Sequence, residues 1–274
     1  MNILLIDYDS NNPRLIPSVV SFIDVLGFSQ LGMKAINSDE GDVFLNQIHT
    51  SLNKARHAIT NQLLLAKVKV FTDNVVIGWP IYGDGEGELG TTFLNLAEYQ
   101  FSLVFDGFFI RGGVSVGPHF MDEETVFGPE LITAYTLESQ VAVYPRIILS
   151  KTSKDKVYEY IKYSPGPAND FNSVLLEDMD GEWFVNYLNV LFTWYEDDAS
   201  SNDYTPFFPH LEAHRNRIES ALHTYADNHK LLKKYAWIAN YHNYFCDEFL
   251  PGVANHLKIN STIKMSPPRR IITT

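Results

Sequence analysis

The sequence predicts an α+β fold, with helices packed on one face of a mainly antiparallel sheet. Two observations predict it. Apolar runs and stretches of helical periodicity follow the order strand, long helix, strand, hairpin-like strand pair, helix, strand, which does not suit a doubly wound sheet. Beyond Ser164-Pro165-Gly166-Pro167 the character shifts to aromatic-rich helices, so four parts are expected: an arm over 1–17, a main domain over 18–164, a strand-plus-helix extension over 165–260 and a tail over 261–274.

The elements follow in order. Residues 1–17 carry a short apolar run and two prolines and read as an edge strand or an arm. A buried strand over 18–26 carries Asp24, Gly27-Phe28-Ser29 turns the chain, and Ser38-Asp39-Glu40-Gly41-Asp42 supplies cap chemistry for a helix over 43–66. Phe44, Ile48, Leu52, Ile59 and Leu63 recur along it at helical spacing, so one face is buried. A strand over 67–79 has Asp73 at its middle. The Gly83–Glu88 stretch is an acidic surface turn; it lacks the Gly-Lys-Ser/Thr ending of a phosphate cradle.

A second long helix spans 89–105, followed by a strand over 108–120. Its Arg-Gly-Gly-Val-Ser-Val-Gly-Pro run lets backbone approach a ligand where side chains would block it. Asp122-Glu123-Glu124 marks a hairpin turn, and Gly128-Pro129 opens a helix over about 129–139. A strand over 146–150 and a helix over 152–163 complete the main domain. In the extension, 175–185 carries strand signals around Asp178-Met179-Asp180-Gly181, and 196–203 is an acidic, turn-rich linker. Helices over about 209–227 and 229–250 precede a loose tail at Pro267-Pro268-Arg269-Arg270.

The composition is that of a globular protein, with 45 % hydrophobic and 20 % charged residues in 274. The start resembles no signal peptide and no run reaches the roughly 18 apolar residues of a membrane span, so a cytoplasmic protein without membrane contact is expected. A net charge of −12 argues against a nucleic-acid binder but admits a small anionic substrate if cations offset the repulsion. The lone Cys246 reads as packing. His210 and His214 lack the His-Glu-x-x-His arrangement of a zinc site and read as surface or packing residues.

Chemistry concentrates on two aspartates, each within an apolar run. A buried carboxylate is costly without a compensating partner. Each alone also reads as a satisfied strand-end or capping residue; together, on neighbouring strands, they ask for a shared cation. Two carboxylates about 4 Å apart repel unless one is protonated or metal binds, and Mg²⁺ or Mn²⁺ would make them a clamp on a polyphosphate. Backbone N–H groups at Gly27, Phe28 and Ser29 would open a helix and suit phosphate oxygens.

Phe-x-Asp-Val-x-Gly-Phe, Thr-Asp-Asn, Arg-Gly-Gly-Val-Ser-Val-Gly-Pro and Val-Phe-Gly-Pro, in that order over residues 18–162, resemble the class III nucleotide cyclase catalytic domain. The resemblance implies a ferredoxin-like sheet. It implies two divalent cations, Mn²⁺ or Mg²⁺, held by Asp24, Asp73 and the Val25 carbonyl, and a triphosphate on Gly27, Phe28 and Ser29. It implies base contacts from Lys69, four residues before Asp73 on the same strand face, and from Thr125. A homodimer with sites at the interface is the implied assembly.

Ile132 and Thr136 stand where purine cyclases carry the ribose-orienting asparagine and the transition-state arginine. Phe127–Glu138, Ala142-Val143-Tyr144-Pro145-Arg146-Ile147 and Asp178-x-Asp180-Gly181 are similar to the pyrimidine cyclases of anti-phage Pycsar systems. That branch implies UTP, or CTP, converted to a cyclic nucleotide that activates a partner effector. Arg146 is then a candidate replacement cation or a structural charge, and Arg111 a second candidate. Phe71 reads first as core, and otherwise as a side chain filling purine space.

Overall fold

A computed structural model describes residues 7–62, 65–83, 85–163, 171–261 and 263–271. In chain order the regular elements are β1 (Ile16–Val25), α1 (Phe28–Asn37), α2 (Gly41–Gln62), β2 (Lys67–Phe71), β3 (Asn74–Pro80), α3 (Glu86–Phe105), β4 (Ile110–Met121), β5 (Val126–Phe127) and α4 (Pro129–Thr136). A π turn, Leu137–Val141, extends α4. Then come β6 (Ile147–Leu149), α5 (Lys151–Tyr163), α6 (Phe171–Val174), β7 (Leu175–Glu177), β8 (Trp183–Val185), α7 (Val190–Trp194), α8 (Glu196–Ser200), α9 (Phe208–Thr224), α10 (His229–Phe249) and β9 (Arg269–Arg270).

The fold is α+β, as expected. Among the described residues nine strands form one sheet in the order β2-β3-β1-β4-β6-β8-β7-β9, with β5 paired to β4. Every pairing is antiparallel except β4 with β6. The extension therefore continues the sheet of the main domain. Val19, Ile23, Val75, Ile77, Val114 and Val116 bury one face with Phe93, Leu96 and Ala97 of α3 and Ile48 and Leu52 of α2; α3 is buried along most of its length because it is apolar nearly all round.

The opposite face belongs to α4 and α10. Gly113 shows why α4 can lie there: a Cβ at this position would come within 2.4 Å of the Ala134 carbonyl oxygen. The glycines of β4 thus admit a helix where the sequence suggested a ligand. On the added strands, Phe184 of β8 meets Trp237 and Tyr241 of α10 edge-on, at 5.4 and 5.7 Å between centroids. The side chain of Asn228 caps α10 by accepting from the Leu231 amide at 3.2 Å.

Four expectations need correction. The run over 67–79 is a hairpin, with Thr72 and Asp73 in its turn and Thr72 in the left-handed region at φ 58°. A helix, α1, opens at Gly27-Phe28-Ser29, as the amide reading expects, and runs on to Asn37 instead of a simple turn. The acidic linker coils into α8, and the tail adds β9, where Arg269 binds Glu177 at 2.6 Å. The arm is held as well: buried Tyr8 donates to Ser18 Oγ at 2.8 Å. The helix expected to reach Ala66 is described to Gln62, and positions 63–64, 84 and 164–170 lie outside the described residues.

Candidate active site

Cross-strand register places the site. Asp24, next to last in β1, lies opposite Asn74 of β3 on one side and Arg111 of β4 on the other, and Asn74 in turn faces Phe71 of β2. Directly paired residues share a sheet face. Phe71, Asn74, Asp24 and Arg111 therefore form one row on the α4 face, and Lys69, Val76, Phe22 and Gly113 form the next.

Asp73 follows from the hairpin turn, close enough for its carboxyl to raise that of Asp24. Burial, the Asp73 carboxyl and the charge of Glu138 push the Asp24 carboxyl up to about 7, against the lowering pull of Arg111. Near neutral pH Asp24 is therefore only partly ionised unless a cation offsets its burial. Thr72 fixes Asp73 by donating from Oγ1 to Oδ1 at 2.8 Å. Arg111 donates from Nε to Asp24 Oδ2 at 3.1 Å and pairs through Nη2 with Glu138 Oε1 at 2.7 Å.

Glu138 was missed in the sequence. It lies in the π turn after α4, nearly buried, and burial raises its carboxyl above the usual range against the pull of Arg111. Glu130, Ala134 and Glu138 recur every four residues and all are buried. That spacing puts both glutamates on the inward face of the helix, a signal present in the sequence.

The donor set fits a hard, oxygen-liganded cation in part. Among the described residues no three Asp, Glu, His or Cys side chains are arranged to hold a metal by themselves. Asp24 and Asp73 supply two carboxylates in contact. Val25 follows Asp24 with its side chain buried, so only its main chain can contribute. The remaining ligands would come from substrate and water, the open arrangement that suits Mg²⁺ or Mn²⁺ with a polyphosphate.

Gly27 takes a left-handed conformation, φ 73°, with open space where a Cβ would lie. Phe28 and Ser29 form the first turn of α1, whose leading amides have no intrahelical acceptor; Phe28 anchors that turn on Phe44, with 5.8 Å between ring centroids.

Lys69 and Thr125, the residues expected at the base, fall together, by a different route from the one expected. Lys69 is on β2, across the turn from Asp73, so the shared-strand spacing does not apply. It still points to the face of Asp24, and its Nζ donates to the Glu123 carbonyl at 2.8 Å. This brings it to the loop of Thr125, whose amide donates to Asp122 Oδ1 at 2.7 Å. Phe71 is not core: it is 78 % exposed, in the row of Asp24.

Arg146 does not serve the site. Its side chain is wholly buried, bound by Asp178 and Asp180, and stands 5.4 Å from the Tyr144 ring and 5.8 Å from the Trp237 ring. Asp178 also accepts from Trp237 Nε1 at 2.7 Å. The candidate catalytic cation is thus a structural charge tying β6 to the β7–β8 turn and α10. Ile132 is 66 % exposed on α4, and Thr136 turns its hydroxyl back to the Ile132 carbonyl at 2.8 Å.

No family model matches the chain, and no curated protein matches it. Among solved structures it is similar to a class III adenylyl cyclase-like ATP-binding protein from Pseudomonas aeruginosa, with 15 % identity over 57 % of this chain and 37 % of that one at a TM-score of 0.44. The monomeric guanylyl cyclase domain of the RhoGC fusion protein from Blastocladiella emersonii gives 17 % identity over 63 % and 95 % at 0.45. The guanylate cyclase domain of RhGC from Catenaria anguillulae, solved with GTP, gives 16 % over 64 % and 98 % at 0.43. Likeness at these levels assigns no reaction to this chain. No described helix is long and apolar enough to cross a membrane.

Proposed function

We propose that the protein is a metal-dependent pyrimidine nucleotide cyclase, converting UTP, or alternatively CTP, to the 3′,5′-cyclic nucleotide and pyrophosphate as the signal generator of an anti-phage system. The observation that carries the reading is the convergence of Asp24 and Asp73, carboxyl to carboxyl, at one end of the sheet. The pyrimidine preference, the antiviral role and the product-activated effector are supported by the motif resemblance alone.

In the reaction the ribose 3′-oxygen loses its proton and attacks the α-phosphorus. The bond to the bridging oxygen breaks, and pyrophosphate leaves. Divalent cations, when bound, neutralise the triphosphate and acidify the 3′-hydroxyl. Asp24 and Asp73 would hold them. Arg111 keeps Asp24 in place and puts positive charge beside the leaving group. The first amides of α1 face the phosphates, while Lys69 and the Thr125 loop bound the base side. Exposed Phe71, Phe127, Ile132, Tyr135 and Val143 support a second copy of the chain covering this face in a homodimer.

A non-catalytic nucleotide-binding module is the second reading, favoured by Ile132 and Thr136, neither of which offers charge or a free donor to a transition state. Incubation with each of the four NTPs and Mn²⁺ separates the two. Cyclic UMP or cyclic CMP that disappears in Asp24→Ala and Asp73→Ala establishes the cyclase; saturable nucleotide binding without pyrophosphate establishes the module.

A further inference from the structure

One cation near the acidic cluster has no task yet. Lys234 lies on α10, in the extension and 123 positions beyond Arg111 in sequence, yet it is only 9 % exposed. A lysine is rarely so buried unless paired. Among the described residues no hydrogen bond or ion pair occupies its ammonium group.

The surrounding contacts fix where it sits. The next residue, Tyr235, packs edge-on against Phe109 with centroids 5.3 Å apart, two positions before Arg111. Trp237 stacks on Tyr144 at 5.7 Å. This end of α10 is thereby held against the start of β4. Lys234 interacts electrostatically with Asp24 and Glu138, which attract it, and with Arg111 and Lys230, which repel it. Arg111 already has two carboxylate partners, so the cluster contains one satisfied cation and one unsatisfied one.

The Lys234 side chain is largely desolvated and drawn toward Asp24 and Glu138, and an arriving anion gives its ammonium the charge-assisted partner it lacks. The anion for which the neighbouring residues are arranged is a polyphosphate. We propose that Lys234 contacts the polyphosphate of the substrate beside Asp24 and Arg111, so that the C-terminal extension completes the site it packs against. The inference rests on the nucleotide reading above. It assigns to α10 a charge that Thr136 does not supply on α4.

The test measures binding of inorganic tripolyphosphate with Mn²⁺ to the full chain, to Lys234→Met and to Lys234→Arg. The expected result is about tenfold or greater weakening in Lys234→Met and recovery to within about threefold in Lys234→Arg, as a charge-assisted contact requires. In the same variants KM for UTP rises and kcat falls in Lys234→Met only. Should Lys234→Met fail to fold, amine-reactive labelling of the unmutated protein decides: tripolyphosphate protects Lys234 if it is a contact. Unchanged tripolyphosphate affinity in a folded Lys234→Met, or labelling of Lys234 indifferent to tripolyphosphate, overturns the inference. A protein that makes no cyclic product yet loses tripolyphosphate with Lys234→Met retains the contact and loses the cyclase reading instead.

Discussion

Arg111 and Asp24 face each other across β4 and β1, joined by a 3.1 Å hydrogen bond, and the same guanidinium reaches Glu138 with its other arm. This pairing sets the charge of the site before any ligand arrives. Asp24 is held by a guanidinium that also binds a second carboxylate, while Asp73 is held on its two-residue turn by Thr72. Arg111→Lys keeps the charge and loses the second arm. It is expected to lower kcat/KM by about tenfold or more, since one charge-assisted bond is worth about 1.5–3 kcal/mol. Steady-state kinetics on the two proteins checks this.

Arg146 predicts the opposite pattern. Removing one partner of a buried ion pair costs about 3–5 kcal/mol because the other charge is left uncompensated. Arg146→Met is expected to lose that much stability by urea denaturation, through Asp178, while the folded fraction retains its activity. Normal stability with abolished activity would return Arg146 to the chemistry.

Gly113 is held by contact rather than by turn geometry. Gly113→Ala places a methyl 2.4 Å from the Ala134 carbonyl and 2.6 Å from Leu137 Cβ, so α4 must shift. Overpacking of this kind costs about 1–3 kcal/mol. Thermal unfolding of the variant measures it.

Three buried side chains of the extension form a directed chain. Tyr187 meets His214 Nε2 at 2.8 Å, His214 Nδ1 meets His242 Nδ1 at 2.9 Å, and His242 Nε2 meets the Leu257 carbonyl at 3.0 Å. A carbonyl only accepts, so His242 Nε2 carries the proton, His214 donates to His242, and Tyr187 donates to His214. Burial holds His242 down to about 4 and His214 well below its ordinary value, with Arg215 adding repulsion at His242 and His242 at His214; Cys246 Sγ lies 3.7 Å from His242 and is itself pushed up by burial to about 12. Both histidines are neutral when folded. The stability they contribute is full above about 6.5, the unfolded value, and is lost as pH falls toward 4. A double variant, His214→Phe with His242→Leu, is expected to show a shallower fall in melting temperature between pH 7 and pH 4.5 than the unmutated protein.

The two aspartates were legible because a carboxylate in an apolar run is an anomaly that demands a partner. The long helices were legible from period alone, and so was the α+β order of elements. The hairpin at Thr72-Asp73 was not, since apolar residues flank the turn on both sides and mimic one continuous strand. Arg146 stayed open between two readings for a related reason: a strand pattern says that a side chain points to one face, but not that Asp178 and Asp180, 32 and 34 positions away, will fold over it. Glu138 could have been found from its four-residue spacing with Glu130 and Ala134, whereas Lys234 stands beside Lys230 and Lys233 with nothing local to single it out. Only the tertiary docking of α10 sets Lys234 apart.

The account turns on Asp24 and Asp73 jointly holding divalent cation against a nucleotide. Electron paramagnetic resonance titration of Mn²⁺, in the presence of 3′-deoxy-UTP that lacks the attacking oxygen, tests it most directly on the unmutated protein, Asp24→Asn and Asp73→Asn. The account predicts saturable Mn²⁺ binding that either substitution removes while the melting temperature is kept. Equal Mn²⁺ binding by all three folded proteins would contradict it.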